Sequence, residues 1–205
     1  LPYFMDTLQK LQIKFDVLWD PKVFGYKFSD ILDQYRQGIV FTDSVSVNSF
    51  ENTAPSADEL VEYLNGGGSL FIAAQSVEQK NTNTRLLEEF FKFRYVDDDR
   101  DIPGLVFADQ KGGEVKMTLN GGDSANSASE VTIMECDQPA SLLVKTQDGR
   151  GAAIGVKAQS FAGTPYRGVF CGFRFEAIPG AECRTALMSR ALSVLLATPL
   201  PKPLE

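Results

Sequence analysis

The spacing of apolar residues changes along this chain, and the change marks two architectural regions. In the first two-fifths, helix-period and strand-period segments alternate. Residues 3–11 read as a helix, and Phe15-Asp16-Val17-Leu18-Trp19 as a short strand stopped by Asp20-Pro21. Residues 29–35 carry Ile31, Leu32 and Tyr35 at helical spacing, and Gly38-Ile39-Val40-Phe41-Thr42 is the apolar run expected of a strand covered on both faces. Ser56 and Glu59 form a capping box ahead of the stripe Leu60, Val61 and Leu64, which Asn65-Gly66 closes. Residues 70–74 make a second buried strand, followed by a helix over 84–93 with Leu87, Phe90 and Phe91 facing the core. Strands alternating with helices predict parallel pairing through right-handed crossovers.

From residue 95 to 172 short β runs dominate: 105–107, 115–119, 131–133, 142–144, 153–156 and 168–171. Turns such as Asn120-Gly121-Gly122-Asp123 and Asp148-Gly149 separate them. A last helix over 181–196 puts Leu187, Met188, Ala191, Leu192 and Leu195 on one face. The expected fold is α/β: a three-layer sandwich with a mainly parallel sheet and an antiparallel β extension in the C-terminal half.

At 205 residues the chain fits one domain over 1–198. Pro199, Pro201 and Pro203 make 199–205 a linker, and its Leu204-Glu205 end resembles an expression-tag scar. The chain opens in a helix without the strand that would feed it, so a first strand is expected upstream. A net charge of −7 and a pI near 4.7, with the basic residues scattered singly, argue against a nucleic-acid partner. No apolar run approaches the ~20 residues needed to cross a bilayer.

The chain contains no histidine, which removes the usual general base and the commonest metal ligand. Gly66-Gly67-Gly68 lies between a helix and a strand, the reverse of a phosphate-cradling order, and reads as a cap and turn. The turn after the 70–74 strand carries Gln75 and Ser76. A nucleophile there would need a base, and Lys80 could serve only with a strongly lowered pKa. Asp97, Asp98, Asp99 and Asp101 could offer oxygens to a hard cation but lack the spacing of a calcium loop, which favours a solvated acidic turn. Glu176, at the end of Gly172-Phe173-Arg174-Phe175-Glu176, is a site candidate, an ion-pair partner of Arg174 or a helix cap. Cys136, Cys171 and Cys183 read as buried small hydrophobes, with a Cys171–Cys183 disulfide as the sharper alternative.

Several of these segments in order resemble class I glutamine amidotransferase-like (flavodoxin-like) domains appended to secreted or surface-anchored bacterial and archaeal proteins. The matching pieces are Tyr3-Phe4-Met5-Asp6-Thr7-Leu8, Phe15-Asp16-Val17, Ile39-Val40-Phe41-Thr42 and the stretch from Leu64 to Gln75. Phe90-Phe91, Tyr95-Val96-Asp97-Asp98-Asp99 and Gly172 to Ile178 complete the set. The family's working members carry a cysteine at the elbow and a histidine and glutamate beyond it. Here the elbow reads Ala74-Gln75-Ser76, so the resemblance implies the fold without the triad, no cofactor, and an extracellular or cell-envelope setting. The expected function is therefore a non-catalytic accessory, binding or structural domain contacting a protein, a glycan or neighbouring domains. The alternative is a hydrolase or transferase using Ser76 or a metal at 97–101.

Overall fold

The computed structural model describes residues 2–17, 31–35, 39–44, 56–75, 85–102 and 104–196. They include three α-helices: α1 (Pro2–Lys10), α2 (Ala57–Asn65) and α3 (Ala181–Leu195). The strands are β1 (Ile39–Ser44), β2 (Ser69–Ala74), β3 (Phe93–Asp99), β4 (Leu105–Ala108), β5 (Glu114–Met117), β6 (Val131–Cys136), β7 (Ser141–Thr146), β8 (Gly151–Gln159) and β9 (Pro165–Cys171).

Strand alternation divides the core in two. Phe71 and Ala73 of β2, with Val169 and Cys171 of β9, belong to one apolar cluster; Leu70, Ile72, Ala74 and Phe170 belong to the other. Successive side chains on a strand point to opposite faces, so both faces of β2 must be covered, and all six of its residues are buried. On the first face, α1 contributes Phe4 and Leu8, and α3 contributes Leu187, Met188 and Ala191. Phe4 stacks on Phe175 at 4.3 Å and meets Phe71 edge-on at 5.6 Å. On the second face, Leu60, Val61 and Leu64 of α2 pack with Leu86, Leu87 and Phe90 of a π-helical segment, Arg85–Phe90. The capping box of α2 is present: the Ser56 amide donates to Glu59 Oε2 at 2.8 Å, and the Glu59 amide donates to Ser56 Oγ at 3.3 Å.

The described strands form one sheet in the order β1-β2-β9-β8-β7-β4-β5, with β6 joined to β8 and β3 to β6. Only β1–β2 and β2–β9 pair in parallel. Every other pairing is antiparallel. The expected mainly parallel, flavodoxin-like three-layer sandwich is therefore corrected to a mixed, mostly antiparallel sheet. The reason lies after β2. The helical segment that comes next leads into β3, which pairs antiparallel with β6, and the parallel neighbour of β2 is supplied much later by β9.

Two local expectations also change. Phe15, Asp16 and Val17 form no strand, and Leu18 and Trp19 lie outside the described residues. The segment expected as an acidic turn is largely strand, since Asp97, Asp98 and Asp99 complete β3. Residues 199–205 also lie outside the described set.

The placement of β6 shapes the end of the sheet. β9 runs along β8 until Cys171 faces Ala153, and β6 takes over the same side of β8 where Met134 faces Gly151. Two glycines allow this approach. A Cβ at Gly151 would strike the Met134 carbonyl oxygen, and one at Gly172 would strike the Thr132 carbonyl oxygen. β6 and its partner β3 thus lie beyond the carboxyl end of β9.

Candidate functional site

Where a sheet has parallel strands, ligands bind in the crevice outside the strands' carboxyl ends. Here that place is bounded by Ala74, Gln75 and Cys171, and the chain fills it with its own loop, residues 118–130. The Asn120 amide donates to the Ala177 carbonyl at 2.8 Å, and the Ala125 amide to the Glu176 carbonyl at 2.9 Å. The Thr132 amide donates to the Gly172 carbonyl at 2.8 Å. Within the loop, the Asn120 side chain accepts from the Ala128 amide at 3.0 Å and donates to the Ala128 carbonyl at 2.9 Å.

Gln75 closes the other side of this plug. It is 4% exposed. Its Nε2 donates to Ser129 Oγ at 3.1 Å, and its Oε1 accepts from the Ser129 amide at 3.2 Å. Both ends of the amide are thereby engaged by one residue of the loop. Glu176 pairs its carboxylate with Arg174, and both side chains are mostly buried. Of the two structural readings raised for Glu176, ion pairing is the one observed. Ser76 and Lys80 lie outside the described residues.

The loop is bolted from behind by a pair of residues that the sequence pattern did not single out. Arg184, in the first turn of α3, donates to Asp123 from Nη1 at 3.1 Å and from Nη2 at 2.7 Å. Nη1 also donates to the Ile178 carbonyl at 2.7 Å, and the guanidinium sits 5.0 Å from the centre of the Tyr3 ring. Asp123 accepts a further bond from the Gly180 amide at 2.6 Å. Hydrogen bonds from Arg184 and Gly180 hold the Asp123 carboxyl well below the usual carboxylate range. The sequence did carry a signal. Arg184 falls on the same helical stripe as Leu187, Met188 and Ala191, an apolar face where an arginine requires a partner.

The acidic cluster is dispersed among separate partners. Asp98 accepts from Thr132 Oγ1 at 2.7 Å and from the Tyr95 hydroxyl at 3.2 Å. Burial raises its carboxyl. Burial, reinforced by Asp98, pushes the Tyr95 hydroxyl up to about 12. Asp99 binds Arg150 at 2.6 Å, while Asp97 and Asp99 also accept from backbone amides within the segment, those of Asp98 and Asp101. Among the described residues no three carboxylate or thiolate groups converge in a way that could hold a metal ion. The carboxylates of Asp97, Asp98 and Asp99, three of the four raised as possible cation ligands, each accept instead from groups of the protein itself.

Cys171 and Cys183 are free thiols. Cys171 lies in β9 between β2 and β8, 1% exposed, whereas Cys183 Sγ turns to Met117 Sδ at 3.6 Å. Among the described residues no helix is long and apolar enough to cross a membrane.

No family model and no curated protein matches the chain. Among solved structures, the mmIFT52 N-terminal domain is similar with a TM-score of 0.45 and 14% identity, over 84% of this chain and 79% of that one. A likeness this slight carries no argument. The resemblance to amidotransferase-like, flavodoxin-like domains is corrected by the sheet itself, whose pairings are mostly antiparallel. The extracellular or cell-envelope setting was implied by that resemblance alone, and the cysteines add nothing to it.

Proposed function

We propose that the chain is a non-catalytic binding or structural module, acting through surface contacts with a partner or with neighbouring domains of a longer protein. One observation carries this reading: the crevice at the carboxyl ends of β2 and β9 is occupied by the chain's own 118–130 loop. The polar groups that an α/β enzyme would aim at a substrate there are spent on that loop. Gln75 holds Ser129 through both amide atoms, and Arg174 pairs with Glu176. Catalysis needs a reacting position within reach of a nucleophile or base, and among the described residues Gln75 at this crevice is engaged with the loop. The two Gln75–Ser129 hydrogen bonds instead favour one arrangement of the loop.

The test is chemical. Incubation with a fluorophosphonate probe, followed by intact-mass analysis, should leave Ser76 unmodified. Labelling at Ser76 that the Ser76→Ala variant abolishes would establish an activated serine and overturn the proposal.

A further inference from the structure

We draw no further inference here: the strongest candidate, the tip of the hairpin between β8 and β9, where Phe161 stands 93% exposed, carries none because nothing in the structure shows what covers it.

Discussion

Arg184 and Asp123, 61 residues apart, are joined by two parallel hydrogen bonds of 3.1 and 2.7 Å. The pair ties the first turn of α3 to the loop that fills the carboxyl end of the parallel strands. Its two halves differ in exposure: the Arg184 side chain is 4% exposed and that of Asp123 is 54%. Removing one therefore does not equal removing the other. Arg184→Met leaves a carboxylate that water can solvate, and should cost about 2 kcal/mol. Asp123→Asn strands a buried guanidinium and should be the more damaging change. Urea unfolding of both variants checks the order, and a milder Asp123→Asn would contradict it.

The same pair gives the stability a pH dependence. The folded-state pKa of Asp123 is depressed, so its contribution is present above the unfolded value and is lost as pH falls through the folded one. Acid titration of stability should therefore fall away in the parent below about pH 4. The slope should be shallower in Asp123→Asn. Identical acid limbs in the two proteins would contradict the assignment.

Gly151 and Gly172 should tolerate no side chain. Each lies under a backbone carbonyl of β6, where an added Cβ meets main chain rather than a movable side-chain tip. Gly172→Ala should cost about 2 kcal/mol, and the double variant should cost less than the two single changes together, because they open one seam. Additive losses in urea unfolding would mean that the two sites do not share the β6 junction.

The three cysteines should react slowly, Cys171 because it is buried and the half-buried Cys136 and Cys183 because their thiols are raised. Burial raises the thiols of Cys136 and Cys183, so both should modify slowly at neutral pH and faster as pH rises. Cys171 should react only on unfolding. Non-reducing peptide mapping should find no Cys171–Cys183 link; finding one in the native protein would contradict the placement of Cys183 against Met117.

Where local chemistry decides the structure, the sequence was legible. The Ser56–Glu59 box starts α2, the apolar stripe from Leu187 to Leu195 belongs to α3, and the buried runs form β2 and β9. What periodicity could not show was strand partnership. β3 carries three consecutive aspartates, residues with weak strand preference, yet it forms because its outer positions face solvent while Thr132 and Arg150 take up Asp98 and Asp99. Likewise Asp123 lies in a Gly-Gly turn that reads as surface loop, and its role emerges only when α3 returns to meet it. Gln75 was singled out by its position after a strand. Its actual partner, Ser129, lies 54 residues away.

If the 118–130 loop is a fixed plug over the carboxyl ends of β2 and β9, its anchoring amides must be shielded from solvent in the native state. Native-state hydrogen exchange at the amides of Asn120, Ala125 and Ser129 measures this, because these donate to Ala177, Glu176 and Gln75. A plug that opens only with the whole domain should protect these amides as strongly as those of Phe71 and Ile72 in β2. Exchange at the rate of exposed loop amides, with β2 still protected, would show a crevice that opens in the native state and would contradict the fixed plug.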